Sequence, residues 1–83
     1  MTPTMPEGAP KPGEQYANFF GWNVCVVSVD YDPEKRDWYI THKMVSFGTR
    51  PVDESERLVS SLAKWNKPIP VGYELVPRYV KIP

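Results

Sequence analysis

The chain has 83 residues, of which 41% are hydrophobic and 13% aromatic, and its ten basic side chains balance ten acidic ones. This length allows one domain with a thin core, and the apolar content argues against wholesale disorder. The single cysteine, Cys25, excludes an intramolecular disulfide, and no apolar run approaches the roughly 18 residues of a membrane span. Since the N-terminus also lacks the pattern of a secretory signal, we expect a soluble cytoplasmic protein that does not bind membranes.

The charges are unevenly distributed along the chain. Residues 1–34 carry five acidic side chains and one basic one, whereas residues 57–83 carry five basic and one acidic. Such a split can steer partners of either sign towards different parts of the surface. The alternative is that the segregation is incidental, as in many small domains.

Residues 1–16 are predicted to form a disordered arm that precedes a single binding domain over residues 17–83. Four prolines and two glycines fall within residues 1–14, without an apolar period. Because proline lacks an N–H group and fixes φ, this segment is not expected to join a sheet. The arm is either a flexible tail or a segment that becomes ordered on a partner.

A β-hairpin is predicted over residues 22–47. Residues 22–31 are rich in β-branched side chains and apolar on both faces, which indicates a central strand. Strict alternation assigns one face to Cys25, Val27, Val29 and Tyr31 and the other to Trp22, Val24, Val26 and Ser28. A charged turn at residues 32–37 leads into a second strand at residues 38–47.

A helix is predicted to begin near Pro51 and to end near Lys67. Proline suits the first turn of a helix, and Asp53 with Glu56 three residues later has the pattern of a capping box. Side chains in the predicted buried stripe recur at three- and four-residue spacing. They are Val52, Ser55, Leu58, Val59, Leu62 and Trp65.

A last strand is predicted over residues 73–82, after a Pro-Gly joint at residues 68–72. Pro77 cannot donate a hydrogen bond to a neighbouring strand, so it marks a bulge or an edge position. The element order β-β-α-β predicts an α+β two-layer sandwich. One helix would cover an antiparallel sheet of about three strands.

No residue pattern predicts catalysis, a metal site or a cofactor. His42 is the only histidine and has no sequence pattern that would make it a base for a nucleophile or a metal ligand. Cys25 lies among valines, where a thiol is normally buried and inert. The acidic residues 30–37 lack the glycine and the late glutamate of a calcium-binding loop. We therefore expect a binding protein rather than an enzyme.

The C-terminal third contains a set of aromatic and basic residues typical of interface anchors. The predicted partner-binding residues are Trp65, Tyr73, Arg78, Tyr79 and Lys81. The alternative for Trp65 and the tyrosines is that they belong to the core. A larger protein is the first expected partner. Single-stranded nucleic acid is the second, because aromatic rings and cations can hold bases and phosphates, although the balanced net charge disfavours it. A third interpretation is an accessory structural subunit of a larger assembly.

Two short segments resemble the small coliphage-encoded inhibitors of bacterial RNA polymerase. The segments are Leu62-Ala63-Lys64-Trp65 and Pro70-Val71-Gly72-Tyr73-Glu74-Leu75. In that family a helix ends near a tryptophan, and a Pro-x-Gly-aromatic-Glu-aliphatic sequence enters the last strand. The family's closely spaced arginines fall at Pro77 and Tyr79 here, and Arg78 is offset by one residue, so the arginine roles are not carried over.

The resemblance implies a compact α+β domain that docks on the polymerase β′ subunit and blocks transcription. By the same resemblance, the last strand and the adjoining helix end would form the docking surface. It therefore predicts a phage-type viral protein that inhibits or modulates a host enzyme, such as bacterial RNA polymerase, in the host cytoplasm.

Overall fold

The described part of the chain, residues 3–83 of a computed structural model, contains eight strands and one short helix. In chain order they are β1 (Gln15–Asn18), β2 (Trp22–Asp32), β3 (Asp37–Phe47), β4 (Arg50–Pro51), β5 (Leu58–Ser61), α1 (Leu62–Asn66), β6 (Ile69–Val71), β7 (Glu74–Val76) and β8 (Tyr79–Lys81). Six strands form one antiparallel sheet in the order β4-β3-β2-β1-β8, and β5 pairs with another part of β3. The remaining two strands, β6 and β7, form a separate hairpin.

The predicted α+β sandwich is wrong, because this is a mostly-β fold. Strands account for 51% of the described residues and helix for 6%. The one helix, α1, has only five residues, too few to cover a sheet face. The predicted three-stranded sheet with one covering helix is replaced by a curled sheet of six strands.

The predicted helix fails over its first two thirds. Residues 52–57 are irregular, and residues 58–61 pair with the outer edge of β3 as strand β5. Asp53, predicted as the cap, instead accepts hydrogen bonds from the backbone N–H and the hydroxyl of Ser55, both at 3.0 Å. The actual cap is Ser61, whose Oγ accepts the N–H of Lys64 at 3.1 Å. Valine and serine are weak helix formers, so pairing with an open sheet edge outweighs local helical preference in this segment.

The predicted hairpin is confirmed, and β2 is central between β1 and β3. Its faces differ from strict alternation, because Val27 is an extra residue in the ladder. Val26 pairs with His42 and Ser28 with Thr41, so the pairing skips Val27. Because of this bulge, the residues after Val27 lie on the face opposite to the one that strict alternation would give them. Val29 therefore packs against the core with Val26, rather than on the opposite face as predicted.

The core lies on one face of the sheet. Its buried apolar residues are Ala9, Tyr16, Val24, Val26, Ile40, Leu62 and Trp65. The helix α1 covers part of this face through Leu62 and Trp65. The buried His42 is the polar residue among them.

The N-terminal segment is continuous with the sheet. The N–H of Gly13 donates to the carbonyl of Val26, and the N–H of Val26 donates to the carbonyl of Glu14, both at 2.9 Å. Ala9 and Pro10 are buried. The predicted boundary between residues 16 and 17 falls within β1. The first two residues of the predicted arm lie outside the described residues.

The hairpin formed by β6 and β7, residues 69–76, is named the finger here. Ile69 pairs with Val76 at its base, and Val71 pairs with Glu74 next to the turn. Gly72 adopts a φ of 61°, a left-handed conformation that glycine tolerates in tight hairpin turns. The strands of the finger contact chiefly each other rather than the six-stranded sheet. The predicted last strand is thus divided into β7 and β8 at Pro77.

Candidate interaction surface

The predicted binding residues occupy three different settings. Tyr73 lies at the tip of the finger. Trp65, Arg78 and Tyr79 line a groove of about 270 Å³ between α1 and the two edge strands β5 and β8. Lys81 lies further along β8 and is not among the residues that line this groove. The fold therefore brings three of the five predicted residues together.

This groove is named the seam groove, because the curl of the sheet brings its edge strands to either side of it. Its walls are formed by Val59 and Ser60 of β5, Lys64 and Trp65 of α1, Arg78 before β8, and Tyr79 at the start of β8. His42 and Phe20 also contribute to the lining. The groove combines aromatic, apolar and cationic surface.

Trp65 is a core residue that supports the groove from beneath. Only 4% of its surface is exposed. Its ring stacks on Tyr79 with centroids 3.8 Å apart and planes 9° from parallel, and it meets Tyr16 and His42 edge-on at 5.3 Å and 5.2 Å. Trp65 consequently offers little surface to a partner, and its contribution to the groove is to fix the position of Tyr79.

The buried His42 is held in one tautomer at the groove. Its Nδ1 lies 3.2 Å from the carbonyl oxygen of Ile40. Since a carbonyl can only accept, Nδ1 carries the proton, and Nε2 keeps its lone pair in the neutral ring. Burial lowers the pKa of His42, and the hydrogen bond to Ile40 opposes that shift only in part. The imidazole is therefore neutral at pH 7.

Cys25 and His42 do not form a catalytic pair. Cys25 alternates with the buried Val24 and Val26 on β2, so its side chain lies on the opposite face of the sheet from His42. Its thiol is half-buried, and its Sγ lies 3.8 Å from the carbonyl oxygen of Val26. Within residues 3–83, no group of His, Cys, Asp or Glu side chains is arranged to hold a metal ion.

Two cations contribute to the seam groove. Lys64 and Arg78 line it, and no carboxylate is among its lining residues. The Nε of Arg78 donates to the carbonyl oxygen of Lys67 at 3.2 Å. This bond links the two chain segments at the base of the finger, because Lys67 precedes β6 and Arg78 follows β7.

Burial raises the pKa of the neighbouring Tyr79, so its phenol remains protonated.

Lys81 is engaged within the fold. Its Nζ lies 2.6 Å from Oε2 of Glu14, whose other oxygen accepts the backbone N–H of Lys11 at 2.8 Å and the hydroxyl of Tyr16 at 3.0 Å. These bonds, that of Lys81 first, lower the pKa of Glu14 to about 2. Burial, reinforced by the bond to Glu14, raises the pKa of Tyr16 to about 12. Lys81 thus fastens β8 to the chain before β1.

The finger exposes apolar side chains that the core does not use. Tyr73 is fully exposed, Leu75 is 69% exposed, and Val71 is also exposed. The sequence pattern predicts Tyr73 as a binding residue but not Leu75 or Val71. The local pattern does not show that Pro70 pairs with Leu75 across a glycine turn. This pairing forms a separate hairpin, so neither strand belongs to the main sheet.

Phe20 is another exposed aromatic residue that pattern analysis missed. The Oδ1 of Asn18 accepts the N–H groups of Phe20 and Trp22 at 2.9 Å and 3.0 Å, and this local turn leaves the Phe20 ring exposed at the groove. Turn residues are usually polar. The two phenylalanines between Asn18 and Gly21 are therefore the sequence feature from which this exposed ring could have been predicted.

A second cavity of about 250 Å³ lies on the other side of Leu58. Trp22 and Met44 contribute apolar surface, and Asp53 and Glu56 contribute carboxylates. The predicted capping box is thus replaced by two acidic residues lining a cavity. None of the five predicted binding residues lines it.

Comparisons of the chain with known protein families, with curated proteins and with solved structures find no match. Among residues 3–83, no helix is long and apolar enough to cross a membrane.

Proposed function

We propose that this protein is a non-enzymatic interaction module that docks on a larger protein through the finger. The observation that carries the proposal is the exposure of Tyr73 and Leu75 on a hairpin that packs chiefly against itself. Exposed apolar groups that stabilise no core are characteristic of interaction sites. Tyrosine is also enriched among the residues that dominate binding energy, because it combines a large apolar ring with a polar hydroxyl.

We further propose that the partner is a host enzyme such as bacterial RNA polymerase, which a phage-type protein would inhibit or modulate. The support for this partner is the local resemblance noted for residues 62–65 and 70–75. In this fold those two segments form α1 and the finger. The resembling residues and the exposed apolar residues therefore coincide at the finger, which is the surface that the proposal uses.

The test measures binding to purified bacterial RNA polymerase and inhibition of transcription. The wild type is compared with a finger variant, Tyr73→Ala with Leu75→Ser, which leaves the core untouched. Val80→Ser is the matched control, since Val80 is exposed on the opposite face of β8 from the groove. We expect the finger variant to bind at least about tenfold more weakly, equivalent to 1.4 kcal/mol, and the control to bind like the wild type.

Two outcomes would change the proposal. A finger variant that binds polymerase as tightly as the wild type would show that the docking surface is elsewhere. If the wild type does not bind polymerase, affinity capture from nuclease-treated bacterial lysate is the next measurement. Finger-dependent capture of another protein would retain the interaction module and reject polymerase as its partner.

Single-stranded nucleic acid binding is the second candidate function. It is favoured by Lys64 and Arg78 in the seam groove, together with the exposed ring of Phe20. Cations would meet phosphates, and an exposed ring could stack on a base. Affinity for an oligonucleotide would then fall steeply with added salt as counterions are released.

A further inference from the structure

We infer that the seam groove binds a carboxylate side chain in an extended, acidic segment of the partner protein. The inference rests on the proposed function and specifies the chemistry of the partner. It concerns a surface distinct from the apolar finger, so the two can be tested separately. Three features support it: the unpaired sheet edges, the charges of the groove, and the extent to which its aromatic rings are covered by other side chains.

The groove lies where the sheet remains open. Within residues 3–83, β8 pairs only with β1 and β5 only with β3, so each has one side without a neighbouring strand. An edge strand presents N–H and carbonyl groups on which an extended peptide can align. The seam groove has such an edge on either side. Its shape therefore suits an extended chain segment.

The charges specify an acidic occupant. Lys64 and Arg78 line the groove from different elements, and within the described residues neither forms a salt bridge. With no carboxylate in the lining, the two cations are balanced by nothing in the groove. A carboxylate has the charge that complements both, and the planar guanidinium of Arg78 can bind it with two parallel hydrogen bonds.

The aromatic rings favour a peptide over a nucleic acid. Stacking of successive bases requires several open ring faces, but Trp65 is buried and one face of Tyr79 is covered by Trp65, so Phe20 is the one well-exposed ring in the lining. The neutral His42 adds no positive charge. The groove volume of about 270 Å³ is sufficient for a carboxylate side chain.

The experiment uses two probes, fluorescein-labelled hexaglutamate and fluorescein-labelled hexathymidylate, measured by fluorescence anisotropy at moderate salt. The groove variant is Lys64→Glu with Arg78→Glu. The matched control is Lys35→Glu with Arg36→Glu, which makes the same charge change at the β2–β3 turn. Because Arg78 also supports the finger, a Lys64→Gln with Arg78→Gln variant is included, and circular dichroism verifies that each variant is folded.

We expect hexaglutamate to bind the wild type, to bind the control variant almost equally, and to bind the groove variants at least about tenfold more weakly. Absence of hexaglutamate binding, or equal loss in the control, would overturn the inference. Tighter groove-dependent binding of hexathymidylate would overturn it in favour of a nucleic-acid site. The finger variant should bind hexaglutamate like the wild type, so failure of the groove and failure of the finger are distinguishable.

Discussion

The Nζ of Lys81 lies 2.6 Å from Oε2 of Glu14. Glu14 belongs to the acidic N-terminal part of the chain and Lys81 to the basic C-terminal part, and the pairing of β1 with β8 brings them together. The charge split in the sequence is therefore partly neutralised inside the fold. The groove cations Lys64 and Arg78 form no salt bridge within the described residues, so they remain available to a partner.

The first prediction concerns the stability contributed by Glu14. Its pKa falls from an ordinary 4.5 to about 2 in the folded chain, so the stabilisation is present above pH 4.5 and is lost as the pH falls towards 2. We expect Glu14→Gln to lower the free energy of unfolding by about 1 kcal/mol at pH 7. Urea unfolding should show this difference shrinking between about pH 4.5 and pH 2. A difference that is independent of pH would contradict the role assigned to the carboxylate.

The second prediction concerns His42, which is neutral and buried. Its pKa is lowered by burial, so the unfolded chain binds a proton at a higher pH than the folded one. Stability is therefore full above the ordinary histidine pKa of roughly 6.5 and falls as the pH drops below it, by at most about 1.4 kcal/mol per pH unit. Because His42 is the only histidine, one-dimensional proton NMR can follow its ring directly. A midpoint at or above that ordinary value would refute the prediction.

The third prediction separates core from surface aromatics. We expect Trp65→Ala to destabilise the fold by about 3–5 kcal/mol, because it removes a buried ring and the support of Tyr79. Tyr73→Ala should change stability by less than about 0.5 kcal/mol, since its side chain is fully exposed. Chemical denaturation of both variants is the measurement. Comparable losses from the two substitutions would show that the finger packs against the core.

The fourth prediction concerns the bulge at Val27. Deleting Val27 removes the extra residue of β2 and leaves Val24, Val26 and Val29 on the core face, so we expect a folded protein with a modest loss of stability. Deleting Thr41 is the control, because it would turn His42 and Met44 away from the core face and Lys43 towards it, and it should prevent folding. Circular dichroism and thermal unfolding distinguish the two. Unfolding of both deletions would mean that the bulge itself is required.

The long hairpin was predictable because β-branched residues and a charged proline turn agree along its whole length. The helix was not, since its apolar spacing between Val52 and Trp65 also fits a strand followed by one helical turn. Residues 58–61 form a strand because the edge of β3 is open to them. This is a tertiary feature, and local periodicity cannot reveal it. The bulge at Val27 was hidden for the same reason: only the partner strand shows which residue is skipped.

The candidate site was predictable in composition but not in arrangement. The aromatic and basic C-terminal residues were recognised, and Arg78 and Tyr79 do share a groove. Their separation from Tyr73 depends on the finger leaving the main sheet, and the assignment of Trp65 to the core depends on its stacking with Tyr79. The salt bridge of Lys81 cannot be read from the local sequence, because Glu14 lies 67 positions away in the chain.

The independence of the finger has a consequence for how the protein can change. Residues 70–75 can be exchanged without disturbing the packing that determines whether the chain folds, because their side chains are not among the buried core residues. Selection for a new partner can therefore act on this hairpin while the sheet stays constant. Under the proposed function, exchanging this one hairpin would change the partner while the rest of the domain is kept.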